Sequence, residues 1–513
     1  MNKESRVHKS LLNARVGFIY YFLFIILSFF SRKTFLECLG ADFLGLAGTL
    51  SNILGFLSLA EMGVATAVSY NLYKPLEAGD KQEIENLVSV FGFLYRKIGL
   101  FILGAAIIIS CFIPLIFKNT IFSYGIIYFA FYSILLSSLF SYFINYRQII
   151  LTADQKGYLV TAYLQGAMFV KILVQMAVAI YLHNYFIWIG LEVVYGIVSC
   201  LVLNWKIHRV YPWLNASVAK GKEYYHNYKH ILNYTKQVFV HKIKDFILTQ
   251  SDQILIFAFV SLKMVAFYGN YTLIVSRISA AFSSALNSFG AGVGNLIAEH
   301  NTEHSINVFW EIVSIRFIVA GLIVFSVYNF IEPFISLWLG SQYILDRTIL
   351  VLLMTNIFIM QSRGAVDMFN NAHGLYADTW SAWVEGFLNV GITLATAPFL
   401  GITGILLGKI VSLFLIVVLW KPYYLFHDGF KVSVANYWKR ILRYYVASIG
   451  MILLGTWIFN IIPINAGASF YFWGIKAVIV LIPFTILYIT ILTFADKGAK
   501  DLFNRIKMLY LKR

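Results

Sequence analysis

Apolar runs of about 20 residues recur along almost the whole chain, and this one feature narrows what it can fold into more than any other. A helix needs about 20 largely apolar residues to cross the hydrocarbon of a bilayer. Fourteen runs meet that length, at approximately 11–31, 43–67, 98–117, 121–144, 158–180, 185–203, 239–260, 266–294, 307–330, 347–369, 375–397, 401–420, 444–462 and 470–493. Hydrophobic residues make up 60% of the 513 and charged residues 12%, against roughly 25% charged in a soluble domain. Mean hydropathy is +0.75. A soluble globule cannot hide so much apolar surface. The 45 Phe, 33 Tyr and 11 Trp suit lipid-facing helices with interfacial rings. The prediction is an all-α polytopic membrane protein of about fourteen transmembrane helices.

The distribution of charge orients the spans. With the N-terminus placed in the cytoplasm, 26 Lys and Arg fall in cytoplasmic loops and tails and 4 (Arg32, Lys33, Lys118, Lys263) on the other side. Positive charge is retained inside, so the sequence predicts both termini in the cytoplasm of a bacterial inner membrane. The net charge of +16 then reads as a topology signal with anionic-lipid contact, and nucleic acid is not expected as a partner. The first run, near 16–30, follows a basic start as a signal peptide would. Its bulky aromatics and the Ser31-Arg32-Lys33 that ends it, without a small-residue cleavage pattern, read as a first span.

The longest loop, about 204–238, is basic and aromatic and reads as part amphipathic helix on the membrane surface. It predicts a division into a six-helix lobe over 1–210, a linker over 211–238, a second six-helix lobe over 239–425, and two added helices with a basic tail over 426–513. An internal likeness supports the division. A span holding Gly45, Gly48 and Asn52 runs into Ser69-Tyr70-Asn71. About 223 residues later, a span holding Tyr268, Gly269, Asn270 and Tyr271 runs into Gly292-Val293-Gly294-Asn295. Repeats of this kind are the usual build of secondary transporters. Small residues also recur simply because they let helices pack closely.

Ionisable residues inside spans are costly and commonly face a cavity or a partner. The set here tilts basic, with Arg15, Lys171, Arg277, Arg316, Arg363, Lys409 and Lys476. Arg277 and Lys171 lie mid-span, where snorkelling is hardest, while Arg15 lies near an interface. Arg offers phosphate a rigid bidentate fork, so Arg277, Lys171, Arg316, Arg363, Arg15 and Lys409 are candidate cavity residues for a diphosphate. Arg363 and Asp367, four apart on one helix, are placed to neutralise each other. Asp252, Asp245 and Glu61 are candidates for ion coupling by a proton or sodium gradient, or for pairing with those cations. Tyr70, Asn71, Tyr268, Asn270, Tyr271, Asn287 and Asn295 are candidate glycan contacts; helix–helix hydrogen bonding is an equal use for each.

No GxxxxGK[ST], HExxH or GxSxG occurs, the ten His are scattered, and Cys38, Cys111 and Cys200 sit at neither metal-ligand nor disulfide-framework spacing. No catalytic residue, metal or cofactor is predicted, and no outer loop is long enough to hold a catalytic domain.

Arg32–Gly40, Gly45-Leu46 and Leu59–Ala67, then Leu72-Tyr73-Lys74-Pro75-Leu76 with Asp80 and the helix from Arg96-Lys97, resemble the opening of polysaccharide-biosynthesis flippases. In the second half, Ser251-Asp252-Gln253, Tyr268–Tyr271 and Phe334–Gly340 resemble the corresponding later regions. The likeness runs in the same order over most of the chain. That family belongs to the multidrug/oligosaccharidyl-lipid/polysaccharide exporter superfamily. The resemblance implies two pseudo-symmetric six-helix lobes around a central cleft. It also implies flipping of undecaprenyl-diphosphate-linked repeat units of O-antigen, capsule or exopolysaccharide by alternating access, alongside the pathway's polymerase and glycosyltransferases. The alternatives are a multidrug exporter of the same superfamily, for which the basic surplus is a poor match to cationic drugs, and a membrane-embedded polymerase or glycosyltransferase, for which the short outer loops leave no room.

Overall fold

The computed structural model describes residues 6–58, 64–118, 120–228, 251–375 and 377–511. All regular structure among them is helical, as a chain with so little polar surface requires when backbone groups must be satisfied within lipid. Among the described residues, eleven helical segments are long and apolar enough to cross a membrane. The chain is thus a multi-pass membrane protein. It divides into two compact units, Met1–Ala266 and Phe267–Arg513.

The first unit holds α1 (Arg6–Cys38), α2 (Ala41–Leu57), α3 (Val64–Ala78), α4 (Lys81–Cys111), α5 (Tyr124–Phe143), α6 (Gly157–Leu182), α7 (Tyr185–Val210) and the short α8 (Val218–Tyr224). α1 continues about two turns past its apolar run, so Arg32 and Lys33 lie in the helix rather than in a loop. The helix stops at Gly40, whose φ of 91° is open to glycine and whose N–H returns to the Phe35 carbonyl at 3.2 Å. The run expected at 43–67 is two helices, α2 and α3, with 59–63 outside the described residues. α4 begins at Lys81, far before its apolar run, because Asp80 caps the Glu83 N–H at 3.0 Å. The core gathers around Leu46, Leu50, Phe91, Phe117 and Phe131, all fully buried.

The described part of the stretch after α7, residues 211–228, folds back onto its own unit. It is strapped to α4. Ser217 N–H reaches Ser89 Oγ at 3.1 Å, Tyr228 donates to both Glu83 oxygens at 2.8 Å, and Tyr146 and Arg147 donate to the Ala216 carbonyl at 3.2 and 2.8 Å. α8 sits so close that a Cβ at Gly221 would overlap the Ser89 carbonyl.

α9 (Leu262–Asn287) opens at the end of the first unit and continues into the second. The second unit follows with α10 (Gly290–Ala298), α11 (Thr302–Trp338), α12 (Arg347–Ser362), α13 (Gly364–Ala372), α14 (Thr379–Leu400), α15 (Ile402–Leu413), α16 (Ala435–Ile461), α17 (Phe470–Ala495) and α18 (Lys497–Leu511). Wider π-type turns carry the helix after α15 on to Gly429. The run expected at 266–294 is likewise two helices, α9 and α10, parted at Ser288-Phe289. α11 is the pillar of this unit, capped by Asn301 on the His304 N–H at 3.0 Å and largely buried along its length. α16 and α17 are fastened to it from end to end. Tyr488 donates to the Phe317 carbonyl at 2.9 Å over Gly321, Asn329 meets Thr456 at 3.1 Å, and Trp473 donates to the Phe330 carbonyl at 3.1 Å. α14 and α15 approach through Gly404 and Gly408, four apart. A Cβ at 404 would lie 2.6 Å from the Thr396 backbone and one at 408 2.8 Å from the Asn389 carbonyl, the small-residue contact of tightly crossed membrane helices.

Candidate functional site

The polar groups that the second unit draws together lie where four helices meet. α9 contributes Ser283 and Asn287 in its last turns, and α11 contributes Arg316 from the middle of its length. The junction of α12 and α13 contributes Gln361, Arg363, Gly364 and Asp367. Ser283 donates to Gln361 Oε1 at 3.4 Å, and Arg316 Nη2 donates to Asn287 Oδ1 at 2.9 Å. Arg363 Nε donates to Asp367 Oδ2 at 2.6 Å, the pairing that the four-residue spacing predicts.

Arg316 is 4% exposed, yet its Nε has no hydrogen-bond partner. Its guanidinium lies against Gly364, where a Cβ would fall 2.6 Å from Cζ. A buried cationic donor left unmatched is expensive. The group therefore suits a partner that arrives from outside the fold. The site keeps an open side, since the Asn287 residue is exposed and the Asp367 side chain is 34% exposed. Glu311, five residues before Arg316, does not face it; that carboxylate pairs with Arg505 of α18 at 3.0 Å.

The first unit holds a separate cluster. Lys171 on α6 donates to both oxygens of Glu192 on α7 at 2.9 and 2.8 Å, and Gln175 adds a bond to Oε1 at 3.0 Å. Glu192 is absent from the charges singled out in the sequence. The signal was present, a lone acid in the apolar run 185–203, but its partner is set only by the pairing of α6 with α7. Lys171 is thereby neutralised.

The other candidates are dispersed. Arg15 is exposed on α1, Arg277 is half-buried on α9, Lys409 is buried on α15 and Asp252 is buried in the helical stretch 251–259. Glu61 and Asp245 lie outside the described residues. Tyr70 and Asn295 are exposed, and Asn71 donates to the Ala67 carbonyl of its own helix at 2.8 Å. Tyr268, Asn270 and Tyr271 are buried, with Tyr271 Oη accepting the Leu345 N–H at 3.0 Å. Lys476 donates to the Ile462 carbonyl at 3.3 Å and lies 3.9 Å from the Phe459 ring centre, a packing role.

Two carboxylates outside the spans act as clamps that the sequence does not reveal. Asp154 receives Lys9 at 2.8 Å, Lys156 at 2.8 Å and Tyr211 at 2.7 Å, tying α1 to the turn before α6 and to the end of α7. Burial alone would raise the carboxyl, but these three donors outweigh it and hold it below the usual range. Asp496 receives Arg440 Nε at 2.7 Å, Tyr444 at 3.0 Å and the Gly498 N–H at 2.8 Å. Burial is again opposed and overcome, so this carboxyl too is held low.

Many apolar helices, with charges paired between and within them, define a multi-pass helical membrane protein. Several solved structures are similar in fold, among them two with TM-scores above 0.6. One is an inward-facing multidrug resistance MATE family transporter of the MOP superfamily, with TM-score 0.61 and 15% identity over 80% of this chain and 95% of that one. The other is the lipid II flippase MurJ in an inward closed conformation, with TM-score 0.64 and 13% identity over 93% of this chain and 98% of that one. The sequence matches no family model and no curated protein sequence.

Proposed function

We propose that the chain is a transporter, without enzymatic chemistry, that flips a lipid-linked oligosaccharide from the cytoplasmic to the outer leaflet of a bacterial inner membrane. The substrate has an anionic diphosphate head, as in the precursors of O-antigen, capsule or exopolysaccharide. The observation that carries this reading is Arg316, a buried guanidinium with an unmatched Nε beside an open polar face. Three acids within the spans are already engaged by a basic side chain, Asp367 by Arg363, Glu192 by Lys171 and Glu311 by Arg505. The flippase fold also spans more of this chain than the drug transporter's, 93% against 80%. The head group would be exposed alternately to the two faces of the membrane while the lipid tail stays in the bilayer. Arg277, Arg15 and Lys409 would add to the positive field met by the head group. A proton or sodium gradient would supply the energy, and the pathway's polymerase and glycosyltransferases would be the functional neighbours.

The likeness to a multidrug transporter favours a second reading, export of a small amphiphilic drug. Proteoliposomes separate the two. Under the first reading, a fluorescent lipid-linked oligosaccharide becomes accessible to an external glycosidase, Arg316→Gln slows this at least tenfold, and cationic dyes are not moved. Transport of the dye with no movement of the lipid-linked glycan would replace the first reading with the second.

A further inference from the structure

We propose that Asp367 is a resident counter-ion which a substrate phosphoryl group displaces, so that the site at the α12–α13 junction is an anion-exchange site rather than an empty positive pocket. The inference rests on the reading that the substrate is anionic. Three charges meet at the junction. Arg363 holds Asp367 at 2.6 Å, and the Asp367 carboxylate is near enough for its charge to act on Arg316. Two guanidiniums thus stand near one carboxylate, which bonds only Arg363, leaving the trio one positive charge in surplus.

The packing explains why Asp367 does not satisfy both. Gly364, one turn before it, lets the Arg316 guanidinium lie flat against the α13 backbone, and Asn287 holds Nη2 on the far side at 2.9 Å. Arg316 Nε is left without a partner in this arrangement. The Asp367 side chain is the more accessible member of its ion pair, 34% exposed against 16% for Arg363. It is thus the member able to swing away toward water.

A phosphoryl group carries more acceptor oxygens than one carboxylate and bonds well to the planar fork of Arg. Entering from the open side, it competes with Asp367 for the Nε of Arg363, within the field of the buried Arg316 guanidinium behind it. The ligand is defined by its chemistry, a phosphate or diphosphate oxyanion, whether free or borne on a lipid. Asp367 keeps the site neutral enough to tolerate the membrane interior when empty and sets a threshold that the ligand has to exceed. A weaker anion leaves the resident pair intact.

Removal of the competitor tests this. Full-length protein in nanodiscs is titrated with inorganic pyrophosphate and, separately, with a polyprenyl diphosphate. Asp367→Asn is expected to tighten binding about tenfold, because a like charge is removed from beside the ligand. Gly364→Ala keeps every charge and is expected to weaken binding about tenfold, because its methyl strikes the guanidinium. Gel filtration confirms that both variants are folded. Tightening for both probes assigns the phosphoryl group itself, and tightening for the lipid alone assigns a lipid-borne head; either supports the proposal. Unchanged or weaker binding by Asp367→Asn overturns it, as does the absence of binding to wild type. If Asp367→Asn leaves affinity unchanged while wild type still flips lipid-linked glycan in an Arg316-dependent way, the exchange mechanism falls and the flippase reading stands.

Discussion

Lys171 and Glu192 close an ion pair at 2.8 Å between two helices that are otherwise almost wholly apolar. Gln175 adds a neutral donor to the carboxylate, and Lys171 supplies its counter-charge. Lys171→Met should therefore strand a carboxylate and cost about 3–5 kcal/mol, whereas Lys171→Met with Glu192→Leu should restore most of the loss. Thermal melts of the two single variants and the double variant in detergent form the cycle. Equal destabilisation by the double variant would show that the pair contributes more than mutual neutralisation.

The Asp154 clamp makes part of the stability depend on pH. Its carboxyl is held below the ordinary value in the folded chain. The contribution is thus complete above the unfolded value of about 3.9 and is lost as pH falls through the still lower folded value, because the unfolded chain takes up the proton first. Asp154→Asn should lower stability by about 2 kcal/mol at pH 7 and should flatten the fall in melting temperature between pH 5 and 3 (an approximate window from the ordinary carboxylate value). Parallel melts across that range check both parts.

Asp496 is the other clamp, with its side chain 3% exposed and two bonds to Arg440. Asp496→Ala leaves Arg440 facing the Trp310 ring, 4.0 Å away, without its carboxylate. The expected loss is about 3–5 kcal/mol. Faster proteolysis within 497–511 than in wild type is the direct readout.

Gly221 tolerates no side chain, since a Cβ there would overlap the Ser89 carbonyl. Gly221→Val should lift α8 from α4, freeing Ser217 and Tyr228 from Ser89 and Glu83. Limited trypsin digestion should then cut at Lys220 or Lys222 well before the wild type is nicked there.

The apolar runs carried most of the fold because lipid leaves the backbone no choice but to pair with itself. Helix ends were less legible. α4, α7 and α16 extend beyond their apolar runs, since a helix emerging from lipid continues wherever a cap such as Asp80 or an amphipathic face supports it. Spans rich in small residues were read as single helices at 43–67 and 266–294, yet α9 and α10 part at Ser288-Phe289. There hydropathy stays high while the helix breaks, and hydropathy measures only the former. Charge placement along the chain identified Arg363 with Asp367, a pair within one helix. It could not identify Lys171 with Glu192 or Arg505 with Glu311, since those pairs depend on which helices become neighbours. Arg316 was one basic residue among several until Gly364 and Asn287 distinguished its surroundings.

α11 is the most enclosed long helix; α12 and α13 cover part of it, but the helices that cover the rest, α16, α17 and α18, follow it by about a hundred residues or more. During synthesis it must therefore wait in the membrane with Ser314, Asn329 and the ring-bearing Phe325 face uncovered until the end of the chain arrives. The second unit cannot mature in the order in which it is made. A ribosome stalled after α15 would leave a membrane-inserted fragment whose central helix is still exposed, a natural substrate for membrane quality-control proteases.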